Sequence, residues 1–119
     1  MKHIEDQTQA MVMQWARLAA FNGGKVSDYL HHSPNGGKRN LREAVRLKAQ
    51  GVLAGMPDLF LFVARHGYFG LFIEMKSPTG TTSTNQKEVM RRLSEQGYKC
   101  VVCKSFESAQ KEIKEYLGI

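Results

Sequence analysis

Apolar and polar positions alternate along this chain with periods that change from one segment to the next. Ile4, Met11, Trp15, Leu18 and Ala19 recur at helical spacing, which predicts an amphipathic helix over residues 4–21. Asn22-Gly23-Gly24 then acts as its stop. A short strand is expected over residues 29–33, closed by Pro34-Asn35-Gly36-Gly37. Residues 41–50 read as a second helix, with Asn40 as N-cap and Gly51 just past its end.

Two strongly apolar runs follow, Leu59-Phe60-Leu61-Phe62-Val63-Ala64 and Phe69-Gly70-Leu71-Phe72-Ile73. Neither alternates apolar with polar, so both are expected as central strands covered on two faces. Arg65-His66-Gly67 makes a compact turn between them, with Gly67 free to take positive φ. After the polar stretch 77–85 come a helix over residues 86–96, a strand over 98–103 and a last helix over 106–117. Phe106, Ala109, Ile113, Tyr116 and Leu117 share one side of that last helix. The order α-β-α-β-β-α-β-α, without internal repeat or linker, predicts one α/β domain over residues 1–119, built around a mixed four-stranded sheet.

The polar residues that interrupt the central strands change the picture. Asp58 heads the first strand after Gly55-Met56-Pro57, and Ile73-Glu74-Met75-Lys76 ends the second. Glu74 and Lys76 share a face, while Met75 points to the opposite layer. Folding the hairpin about His66 sets Ala64 opposite Tyr68, Phe62 opposite Gly70, Phe60 opposite Phe72 and Asp58 opposite Glu74. Directly paired residues on one face have Cβ atoms about 4.5–5.5 Å apart. A slip of one residue would break the alignment.

Two adjacent carboxylates repel unless a proton or cation sits between them. Mg²⁺ suits the pair, because it takes one or two carboxylates plus waters and a substrate phosphate; Mn²⁺ is the expected substitute. The main-chain carbonyl of Met75 is placed to supply a further oxygen. A metal so held lowers the pKa of a bound water and polarises a phosphodiester. Lys76 would orient that water or offset charge developing on the phosphate.

Composition narrows the partner. The chain carries 17 Lys and Arg against 11 Asp and Glu, a formal net charge of +6, which favours a polyanion. Hydrophobic and charged residues make up 42% and 24% of the chain, ordinary for a soluble globular protein. No apolar run approaches the length of about 18 residues that a membrane span needs. The N-terminus lacks the apolar stretch of a signal peptide, so a cytoplasmic protein is expected. Cys100 and Cys103 fall three apart in an expected strand, on opposite faces, and no second pair completes a zinc site. Arg39, Arg42 and Arg46 are spaced to align on a helix, and with Lys38 form the expected phosphate-binding stripe. The turn Asn35-Gly36-Gly37 adds backbone N–H groups suited to a phosphate. A second basic group, Lys87, Arg91 and Arg92, is diluted by Glu88 and Glu95.

The runs Gly55-Met56-Pro57-Asp58-Leu59, Phe72-Ile73-Glu74-Met75-Lys76-Ser77-Pro78 and Asn85-Gln86-Lys87 resemble the virus-type replication-repair nuclease (VRR-NUC) family of the PD-(D/E)xK superfamily. Pro34-Asn35-Gly36-Gly37-Lys38-Arg39 and Leu93-Ser94-Glu95-Gln96-Gly97-Tyr98 are also similar to its stand-alone members from bacteriophages and bacteria. The resemblance implies a restriction-endonuclease-like αβββαβ core. It implies Asp58 and Glu74 as metal ligands and Lys76 as their catalytic partner. It further implies active-site roles for Glu5 on the first helix and Gln86 on the helix after the catalytic strand. The expected activity is Mg²⁺- or Mn²⁺-dependent cleavage of DNA, selective for branched forms such as Holliday junctions. Two symmetric cuts imply a homodimer. A flap or RNA-directed nuclease of the same fold, or a binding module without catalysis, are the alternatives.

Overall fold

The structure, a computed structural model, describes residues 4–33 and 40–119. Four helices and six strands follow in the order α1 (Ile4–Ala16), β1 (Ala20–Phe21), β2 (Gly24–Lys25), a 3-10 turn (Val26–Tyr29), β3 (Leu30–His32), α2 (Leu41–Ala49), β4 (Leu59–Leu61), β5 (Leu71–Met75), α3 (Thr84–Glu95), β6 (Lys99–Cys103) and α4 (Phe106–Leu117). The main sheet has the order β3-β4-β5-β6. β4 runs antiparallel to β3 and β5, and β6 runs parallel to β5. The parallel step needs a crossover, and α3 supplies it. This is the mixed four-stranded sheet expected from the sequence.

The first helix is shorter than its apolar spacing predicts. It ends at Ala16, and Ala20-Phe21 pairs antiparallel with Gly24-Lys25 instead. Asn22 and Gly23 both take positive φ, 52° and 78°. Asn-Gly with this geometry makes a two-residue hairpin turn rather than a helix stop.

Leu59 pairs with Ile73, Phe60 with Phe72 and Leu61 with Leu71. That is the register expected from folding the hairpin, but the turn itself differs. Arg65, not Ala64, bridges Tyr68, across His66 and Gly67 at φ 56° and 82°. The first arm therefore carries one extra residue between turn and ladder, as a bulge does. That residue restores the alternation farther along, so Asp58 still faces the side that Phe60 and Phe72 share.

The two faces of the sheet are covered unequally. Leu59, Leu61, Leu71, Ile73 and Met75 are buried in one cluster with Val12 and Ala16 of α1 and Ala109, Ile113, Tyr116 and Leu117 of α4. The Tyr116 hydroxyl donates to the Val63 carbonyl at 2.6 Å, which ties α4 to the hairpin. On the other face Phe60 stacks on Phe72 with ring centroids 4.3 Å apart. α3 covers only the β5–β6 half there; its Met90 carbonyl accepts from the Cys100 thiol, and its Val89 is buried. β5 is buried at all five positions, so it is covered on both faces as expected, while Phe62 and Phe69, just beyond the ends of β4 and β5, remain 49% and 65% exposed. Cys103 lies buried in the α1–α4 layer, on the face opposite Cys100, and neither thiol is in a disulfide. Among the described residues no helix is long and apolar enough to cross a membrane.

Candidate active site

Leu59–Ile73 is the last backbone pair between β4 and β5 at this end of the sheet. Asp58 continues the contact with its side chain: Oδ2 accepts the Met75 N–H at 2.7 Å. Its own carbonyl turns the other way and accepts the Ser33 N–H at 2.8 Å. His32 Nδ1 lies 3.1 Å from the same carbonyl oxygen, which can only accept, so that ring nitrogen carries the proton. Asp58 is therefore stitched to both neighbouring strands, and its carboxylate is aimed along β5.

Among the described residues Glu74 is the one charged residue that is buried, 3% exposed. Its two oxygens have different fates. Oε2 accepts from Gln86 Nε2 at 2.9 Å and faces Lys76 Nζ at 3.3 Å. Oε1 is sealed from solvent and has no hydrogen-bond partner. A buried carboxylate oxygen left in that state is costly unless a cation or proton meets it.

The electrostatics agree with the geometry. Burial pushes the Glu74 carboxyl up to about 7, with the neighbouring Asp58 charge adding, and the Lys76 ammonium and the Asp58 main-chain N–H opposing. Burial also raises Asp58, while the Met75 N–H and the charges of His32 and Lys76 pull it back and Asp6 pushes it further up. Both shifts express one cost, that of two carboxylates at one strand end in a partly dry site.

The donor set fits a small hard cation. Among the described residues no cluster of three or more His, Cys, Asp or Glu is arranged to hold a metal ion. Two carboxylates with an oxygen to spare are what Mg²⁺ uses when water and substrate phosphate complete its shell. Met75, tied to Asp58 through its N–H, carries its carbonyl at the same strand end.

Gln86 reaches Glu74 because α3 is capped in a particular way. Ser83 Oγ accepts the Gln86 N–H at 3.1 Å, and Gln86 Oε1 accepts the Ser83 N–H at 2.8 Å. This reciprocal box satisfies two orphan donors of the helix start. It also fixes the amide so that its NH₂ group turns to Glu74. Helix capping and site contact are thus made by one side chain.

The remaining expected residues divide. Glu5 sits in the first turn of α1, and among the described residues no hydrogen bond or ion pair joins it to Asp58 or Glu74. Its neighbour Asp6 is the acidic group of α1 whose charge reaches Asp58. Arg42 and Arg46 are exposed on α2, and Arg46 lies 3.8 Å from Glu43. Asn35, Gly36, Gly37, Lys38 and Arg39 lie outside the described residues. Arg91 and Arg92 are engaged by Glu88 and Glu95 on their own helix, which offsets the charge of that second basic group.

Sequence reasoning gave His32 no role and missed Asp6 and Ser83. His32 meets Asp58 only through the pairing of β3 with β4, across a long connection that no periodicity spans. Ser83 had a readable signal, since Ser-x-x-Gln before an apolar helix is a capping box.

A family model described as the VRR-NUC domain matches residues 1–107. A solved structure described as a VRR_NUC domain protein superposes with a TM-score of 0.87 at 36% sequence identity, over 99% of this chain and 91% of that one. No curated protein matches the chain. With the match over most of its length and the shared fold, the chain belongs to the VRR-NUC family of nuclease-type domains.

Proposed function

We propose that this protein is a metal-dependent DNA endonuclease, with Asp58, Glu74 and Lys76 at its cleavage centre and Mg²⁺ or Mn²⁺ as its cofactor. The observation that carries the reading is Glu74 Oε1, a buried carboxylate oxygen with no partner beside a second carboxylate. Asp58 and Glu74 would hold the cation, with the Met75 carbonyl as a third protein oxygen. When bound, a divalent cation supplies Lewis-acid polarisation of a phosphodiester and acidifies water.

The chain's own residues do the rest. The Met75 N–H and the β3 contacts keep Asp58 from turning away. Gln86 and Lys76 fix the Glu74 carboxylate by its other oxygen. Lys76 is half-buried with its ammonium beside Glu74, where it offsets charge gathered on a scissile phosphate. Arg42 and Arg46, exposed on α2, are suited to phosphates away from the cut, contacts that position DNA without reading bases.

Branched DNA is the substrate favoured here, because among the described residues nothing in the site reads base edges, and phosphate contacts leave shape as the discriminator. Two symmetric cuts on a four-way junction call for two centres, hence a homodimer. The test offers labelled duplex, flap, single-stranded and four-way-junction DNA with Mg²⁺ or Mn²⁺, beside EDTA controls. Cleavage of the junction that EDTA abolishes is expected. Equal cutting of all four substrates would remove the branch selectivity, and cutting in EDTA would remove the metal.

A further inference from the structure

Glu74 shows its two carboxylate oxygens in different states, and the difference is built by α3. Oε2 receives the Gln86 amide at 2.9 Å and the Lys76 ammonium at 3.3 Å, while Oε1 has neither a partner nor solvent. An unrestrained Gln side chain can swap its amide ends or swing to solvent. Here it cannot do so freely, because Gln86 Oε1 accepts the Ser83 N–H at 2.8 Å within the capping box. Turning the amide over would set an oxygen against Glu74 Oε2 and an NH₂ against the Ser83 N–H. Both new contacts would be repulsive.

We propose that Gln86 is a positioning residue that reserves Glu74 Oε2 and leaves Oε1 as the one oxygen that Glu74 offers to a cation. The inference rests on the metal-dependent reading above. One-oxygen ligation suits a small cation of strict octahedral geometry. Ca²⁺ takes six to eight oxygens and readily uses a carboxylate through both. Bidentate binding by Glu74 would have to displace Gln86 and Lys76 together. The α3 cap therefore tilts the centre toward Mg²⁺ and Mn²⁺ and against Ca²⁺.

The test is calorimetric titration of Mn²⁺ and of Ca²⁺ into wild type, Gln86→Met and Ser83→Ala, with no DNA present. Gln86→Met keeps the length and removes the amide; Ser83→Ala weakens the cap but leaves the amide and the Ser83 N–H. In Gln86→Met the preference for Mn²⁺ over Ca²⁺ is expected to fall by about tenfold, the scale of losing an outer hydrogen bond to a metal ligand. In Ser83→Ala the helix is expected to lose stability with the preference unchanged. A merely structural role would weaken both cations in proportion, and an unchanged ratio in Gln86→Met would overturn the proposal. An equal shift in Ser83→Ala would also overturn it, by assigning the effect to the helix start. Absence of Mn²⁺ binding to wild type would instead sink the metal reading itself, and this inference with it.

Discussion

Gly55 lies with its backbone against Asn85: a Cβ built on Gly55 would come within 2.8 Å of the Asn85 carbonyl oxygen. Gly55 also holds φ at +93°, a conformation other residues resist. The loop that delivers Asp58 and the helix start that delivers Gln86 thus touch backbone to backbone. Gly55→Ala is expected to cost on the order of 1–3 kcal/mol through strain and displacement. It should also weaken Mn²⁺ binding, by moving Gln86 relative to Glu74. Urea unfolding and calorimetry on the same sample check both; a destabilised protein with wild-type Mn²⁺ affinity would separate the loop from the site.

The carboxylate pair is tested by Asp58→Asn and Glu74→Gln, which keep shape and one acceptor oxygen each while removing the charge. Each variant should stay folded and lose Mn²⁺ binding and metal-dependent cleavage together. Unchanged Mn²⁺ affinity in both would remove these residues as ligands.

Lys76→Ala should keep DNA binding but lower the single-turnover rate by about 10²-fold or more, since its ammonium acts where charge develops. Lys76→Arg should rescue poorly, because a planar fork does not replace a compact ammonium. Wild-type single-turnover rates in Lys76→Ala would take it out of the mechanism.

The Glu74 carboxyl, raised by burial to about 7, makes metal-free stability depend on pH. Its folded pKa lies above its unfolded one, so between roughly 4.5 and 7 the folded state binds more protons. This group's contribution is therefore fully present below about 4.5 and declines as pH rises to 7, by on the order of 3 kcal/mol. Asp58 shifts in the same direction and steepens the decline. Glu74→Gln should flatten the profile in EDTA, and saturating Mn²⁺ should stabilise wild type most above pH 7. A flat wild-type profile from pH 5 to 8 would contradict the buried, cation-seeking carboxylate.

Neutralising Arg42 and Arg46 together to Gln should weaken binding to every DNA alike. The log-log salt slope should flatten by about 0.9 for each lost duplex contact. Cleavage at saturating DNA should change much less, because uniform binding energy acts on affinity rather than on the chemical step. An unchanged slope with normal activity would leave both arginines as a solvated helix face.

Local rules carried the reading of the chain a long way. The helical spacing of Phe106, Ala109, Ile113, Tyr116 and Leu117 marked α4 at the bounds Phe106–Leu117 seen in the structure. The period of two set Asp58 and Glu74 on one face, but the β4–β5 register held only because an extra residue in the first arm offsets the shift made by the Arg65–Tyr68 bridge. Where alternatives were local, local signals misled: the Asn22-Gly23 pair can stop a helix or turn a hairpin, and pairing of Ala20 with Lys25 chose the hairpin. What tertiary structure alone decided is which atoms meet. His32 reaches the Asp58 carbonyl because β3 adds to the sheet edge after a long excursion of chain. Glu74 Oε1 is orphaned while Oε2 is held because a helix start, a strand end and a loop converge there. Sequence pattern specifies faces and periods through short-range sterics and hydrophobic burial. The state of a single carboxylate oxygen depends on groups from separate elements, whose meeting no local period encodes.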